Sequence, residues 1–169
     1  MKGRTLAPLL VVLLAATLAA QVERAIDRLQ ASRAVWRVER GLAAARQGAR
    51  LPRPLVARGI AALRSAEERD PLSIEARAAR GDLYLLLGSF PAAREVYAGA
   101  LALEPHPELY LHLGLAEWHS GEREAARRHF ADAVALQRLL WRGVPEEVGM
   151  PPPPGMRSRR ASALRRRAR

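Results

Sequence analysis

Cysteine is absent from the 169 residues, which excludes a disulfide framework and thiolate chemistry. Asparagine is also absent, and lysine occurs once, at Lys2, against 27 arginines. With so skewed a usage, where the arginines lie is more informative than how many there are. Aromatic residues make up only 5% of the chain, so a core has to be assembled from Ala, Leu and Val, which favours close-packed helices. The length excludes a two-domain nucleotide enzyme and a (β/α)8 barrel, and leaves one compact domain with appendages. Apolar residues at 49% and charged residues at 27% suit a packed core rather than a disordered chain.

The formal charge of +11 is unevenly spread. Residues 21–71 hold 11 arginines against six acids, and residues 157–169 hold seven arginines and no acid. Residues 72–150 are mildly acidic, with eight arginines against 11 acids.

Lys2 and Arg4 precede an uncharged stretch from Leu6 to Ala20, LAPLLVVLLAATLAA. A basic start followed by an apolar run has the layout of a secretory leader, so residues 1–21 are expected to be a signal sequence or transmembrane anchor. Fifteen residues span about 22 Å as a helix, short of the ~30 Å hydrocarbon core. Thr5, Gln21 and Val22, with Arg24 snorkelling, extend it towards a thin bilayer. No Gly or Pro separates the run from Gln21, so the helix can continue into VERAIDRLQ. The Thr17 to Ala20 region also offers moderate cleavage sites; retention as a single-pass anchor is the preferred reading. Arginine counting would leave the body in the cytoplasm, whereas the export-like leader places it outside; the latter is preferred. The expected location is the bacterial inner membrane, with the body in the periplasm.

Glycine spacing organises the remainder. Gly41 and Gly48, Gly81 and Gly88, and Gly114 and Gly121 are each seven apart, and the second and third pairs are 33 apart. Their frames are alike: RVERGLAAARQG, RAARGDLYLLLG and YLHLGLAEWHSG. A second helix follows each pair, ending at Asp70-Pro71, at Glu104-Pro105 and near Gln137-Arg138. Ala93, Tyr97 and Ala100, and likewise Ala126, Phe130 and Ala133, recur at i, i+4 and i+7 as one apolar stripe. Such self-similarity marks stacked helical hairpins, in which a Gly allows close helix approach and a second Gly closes the first helix.

These residues resemble the tetratricopeptide repeat (TPR), strongly over 74–137 and more loosely over 32–71, where six extra residues surround LPRPLV. The resemblance implies an all-α fold: an N-terminal hydrophobic helix, then an α-solenoid of about three hairpins over residues 22–142. The repeats would cover about 32–71, 74–106 and 107–140. A Pro-rich linker, 143–156, and an Arg-rich disordered tail, 157–169, would follow. Arg138 replaces the usual repeat-ending Pro, so the last helix is expected to run on through Leu139, Leu140 and Trp141. Arg37, Arg40, Arg77 and Arg80 stand where the family has large apolar residues; they are expected to snorkel or to pair with Glu39 and Glu75.

No catalytic constellation is present in the sequence, so no enzyme, cofactor or metal is expected. Glu108 and His112 are i, i+4, but no third ligand or HExxH pattern accompanies them. No phosphate-binding Gly loop follows a strand pattern, and no Ser or Thr has evident His and acid partners. The resemblance implies a non-catalytic scaffold or adaptor, holding a peptide or helix of a partner protein in a concave groove. Carried over, the groove comprises Val38 and Leu42; Glu75, Asp82 and Leu85; and Glu108, Leu111, Leu115, Trp118 and His119. Trp118 is the best apolar anchor. The competing possibility is that Leu111, Leu115 and Trp118 pack on the protein's own ends, since short arrays need caps. In the tail, Arg157, Arg159, Arg160, Arg165, Arg166, Arg167 and Arg169 would attract an anionic surface, with lipid favoured over nucleic acid. The alternatives are an accessory subunit of a membrane complex, or a cytoplasm-facing adaptor whose tail meets lipid or nucleic acid.

Overall fold

The computed structural model describes residues 6–156, and the side chains from Leu10 onward. The seven tail arginines lie outside the described residues. The described chain is all helical, without a strand: α1 (Leu6–Arg46), α2 (Arg53–Arg69), α3 (Ile74–Leu86), α4 (Phe90–Leu101), α5 (Pro107–Ser120) and α6 (Arg123–Leu136). Two short 3-10 helices follow, Arg138–Gly143 and Glu146–Val148. The chain divides into two compact units, residues 1–80 and 81–169, with the boundary inside α3.

In the first unit α1 packs along α2. The leader and the first repeat helix are one helix of 41 residues, about 61 Å long, with no break at residue 21. The absence of any Gly or Pro between Pro8 and Gly41 explains the continuity. Gly48 ends the helix with φ of 95°, and Ala49 N–H donates to Ala44 O at 3.0 Å, closing it with a left-handed residue. Val56, Ile60, Leu63 and Ala66 form the buried stripe of α2 at steps of three and four residues. Before α3, Ser73 Oγ accepts from Ala76 N–H at 3.2 Å and so satisfies a free helix-start donor.

Glu39 and Glu75 are the expected partners of the arginines in core register. Glu67 of α2 instead takes Arg80 in a two-point pair, at 2.6 and 2.8 Å, and Arg77 Nε lies 3.9 Å away. A planar guanidinium matches both oxygens of one carboxylate, and Glu67 presents them to Arg80 in that geometry. Arg40 lies over the Trp36 ring, 4.7 Å from its centroid.

The apolar start of α1 packs on nothing: Leu10, Val11, Val12, Leu13, Leu14 and Leu18 are all exposed. Among the described residues, however, no helix is long and apolar enough to cross a membrane. The uncharged run is followed too soon by Glu23, Arg24 and Asp27, so the transmembrane expectation gains no support.

The second unit contains two hairpins built alike, the part of α3 from Gly81 onward with α4, and α5 with α6. Gly88 and Gly121 close α3 and α5 at φ of 70° and 87°, where Ser89 N–H donates to Tyr84 O and Glu122 N–H to Glu117 O, both at 2.9 Å. Gly81 and Gly114 serve close approach. A Cβ at Gly81 would lie 2.5 Å from the Tyr97 ring, and one at Gly114 would lie 2.7 Å from Phe130. Both rings are fully buried, each flanked by two buried alanines.

The end of the repeat region departs from expectation. The last helix does not run on: α6 stops at Leu136, Gln137 turns extended, and residues 138–148 fold back over the last hairpin. Burial explains the break. Val144 and Val148 join Leu111, Ala126, Phe130 and Ala133 in one core cluster, which a straight helix through Trp141 would leave open. Residues 143–150 are thus a packed cap rather than a linker. Trp141 Nε1 donates to Met150 O at 3.2 Å, and the Arg138 guanidinium donates to Pro154 O.

Candidate partner-binding face

The candidate site residues of the second unit fall into two groups. Asp82 on α3 is held from two sides: Tyr97 Oη donates to it at 2.6 Å, and His112 Nδ1 of α5 lies 3.1 Å away. The His112 and Tyr97 rings meet edge to face at 5.4 Å. Tyr97 is fully buried, whereas Asp82 and His112 are partly exposed, so α3 and α5 present one polar spot, with Leu85 half-buried and Leu86 exposed nearby in sequence. With Nδ1 directed to the carboxylate, the His112 ring turns its Nε2 away from Asp82.

Leu111, Leu115 and Trp118 form the second group, and they pack into the cluster completed by the C-terminal cap. Leu111 is only 7% exposed, and a Cβ on Gly143 would lie 2.6 Å from it. Trp118 carries the Arg123 guanidinium 3.7 Å above its ring. The anchor expected for a partner is therefore engaged by the chain itself, because the last hairpin of a short array has to cover its open end.

Other residues are placed singly. His119 stacks on Phe90 with ring centroids 4.8 Å apart. Glu108 lies 2.7 Å from His106, not beside His112, so the i, i+4 pair does not converge. In the first unit Leu42 is 4% exposed and belongs to the core, Val38 is half-buried, and Glu75 is exposed and accepts from Ser73 Oγ at 3.3 Å. Among the described residues no three His, Cys, Asp or Glu side chains converge as a metal site would require.

Sequence reasoning missed one pair. Glu117 of α5 is 5% exposed, and its Oε2 lies 2.7 Å from His129 Nδ1 of α6. The pair lines an open depression with Pro91, Ala98, Leu101 and Leu113, and Arg94 and Glu122 form an ion pair at its edge. The repeat register held the signal: 33 residues earlier the same places are Tyr84 and Val96, so an apolar site has acquired an acid and a base.

No family model matches the chain, and no curated protein does. A solved structure does: the crystal structure of a thermophilic TPR protein of Thermus thermophilus is similar with a TM-score of 0.57 and 26% identity, over 75% of this chain and 64% of that one. The chain thus spans somewhat under two thirds of that neighbour's length. The fold is TPR-like, a class associated with protein–protein interaction scaffolds rather than with catalysis.

Proposed function

We propose that this chain is a non-catalytic scaffold whose α3 and α5 helices hold an extended peptide or helix of a partner protein. The observation that carries the reading is the pair of hairpins built on Gly81–Tyr97 and Gly114–Phe130, which sets α3 and α5 side by side with a polar spot between them. Asp82 and His112 would supply the hydrogen-bonding contact, and Leu85 and Leu86 the apolar one.

A photo-crosslinking residue placed at Leu85 tests the reading, with one at exposed Leu103 on the segment after α4 as the control. One discrete adduct at Leu85, reduced in Asp82→Ala and absent at Leu103, is the expected outcome. Equal labelling at both positions refutes the assignment. The leader-like start and the exposed apolar residues of α1 support a second part of the proposal, that the scaffold is held at a bacterial inner membrane with its hairpins in the periplasm. A topology reporter fused after residue 150 checks the side, and a cytoplasmic signal would reverse it.

A further inference from the structure

The outer face of α1 has an organisation that neither the repeat core nor the leader requires. At 100° per residue, the buried residues Ala31, Ala34, Val35 and Leu42 occupy one arc of the helix. Roughly opposite run Val22, Ile26, Leu29 and Trp36, each about half exposed. Arg33, Arg37 and Arg40 are exposed and fall in the same sector, which spans about 100°. The acids of this stretch, Glu23, Asp27 and Glu39, all lie outside it. The sector therefore combines an apolar stripe with three cations and no anion, and its Trp already lies beneath the Arg40 guanidinium.

We propose that this face binds an anionic lipid surface, with α1 lying along the headgroups rather than crossing the bilayer. Three observations choose lipid over a second copy of the chain. The charge on the sector is of one sign, so a symmetric parallel pairing would set Arg33 against Arg33 and Arg40 against Arg40. Leu10 to Leu14 are exposed in every direction around the helix, and a single seam would cover only one side of them. No described helix is long and apolar enough to span, which suits attachment at the surface. Val22, Ile26 and Leu29 enter the acyl boundary, Trp36 takes the interfacial depth favoured by its amphipathic ring, and the arginines pair with lipid phosphates. This assignment does not depend on whether the hairpins hold a peptide.

The test uses the full chain and two vesicle types, pure phosphatidylcholine and phosphatidylcholine with about 30% phosphatidylglycerol. Arg33→Gln/Arg37→Gln/Arg40→Gln should weaken binding to the anionic vesicles roughly 100-fold, from about five-fold per arginine, with little change on the neutral ones. Trp36 emission, isolated by difference from Trp36→Phe, should shift to the blue and be quenched by brominated lipid. The variants lie on exposed positions, and unchanged helical circular dichroism confirms that they fold. Three results overturn the proposal: an unaltered Trp36 signal, a triple variant that binds like the parent, or loss of the whole anionic preference on deleting 157–169. Concentration-dependent dimerisation abolished by Val22→Ser/Ile26→Ser/Leu29→Ser, without any Trp36 response to vesicles, would assign the face to self-association instead.

Discussion

Replacing Gly81 with Ala opposes two effects of known size. A mid-helix Gly→Ala exchange should stabilise α3 by about 1 kcal/mol through backbone entropy. The new Cβ, however, would lie 2.5, 2.6 and 2.9 Å from three atoms of the Tyr97 ring, well inside contact distance. The ring has nowhere to go: it is fully buried, and its hydroxyl is held by Asp82 at 2.6 Å. Overpacking of this kind costs about 1–3 kcal/mol. Displacing the hydroxyl from a carboxylate costs roughly 1.5–3 kcal/mol more. The net expectation is a loss of about 1.5–5 kcal/mol, read as a lower urea midpoint at unchanged slope. A double-mutant cycle isolates the clash. In a Tyr97→Leu background, which removes both ring and hydroxyl, Gly81→Ala should lose most of its penalty or become stabilising. If Gly81→Ala stabilises the parent as much as it stabilises the Tyr97→Leu variant, close approach is not what the glycines of the two hairpins provide.

Removal of Glu67 should be costly, because Arg80 loses a two-point pair whose side chains are 16% and 14% exposed. Glu67→Ala is expected to destabilise by about 2–4 kcal/mol in urea denaturation, and a change below about 0.5 kcal/mol would show the pair to be incidental. Trp141→Ala should loosen the C-terminal cap, at a cost of about 3 kcal/mol, because the indole is buried and holds Met150 through its N–H. Limited proteolysis within 138–150 and a hydrophobic dye report this, and an unaltered cleavage pattern would refute the capping role.

Much of the fold was legible in the residues because its rules are local. Gly88 and Gly121 announce helix ends, since a left-handed backbone suits few other residues. Gly81 and Gly114, 33 apart and each followed 16 residues later by Tyr97 or Phe130, announce the hairpin contact. The partner face was legible only as a set of helix positions. Asp82 was named, but its holder His112 comes from the next hairpin, 30 residues on, and no local pattern joins them.

Periodicity and punctuation alone thus determined the six helices, the two alike hairpins and most of their turns, because backbone entropy and apolar spacing act within a few residues. Tertiary structure alone decided which arginine meets which acid, that α6 breaks at Gln137, and that the chain's own end covers Leu111. Those outcomes turn on competition for burial between segments far apart in sequence, where a carboxylate of the right geometry or an uncovered Phe130 outweighs the preference of the nearer neighbour.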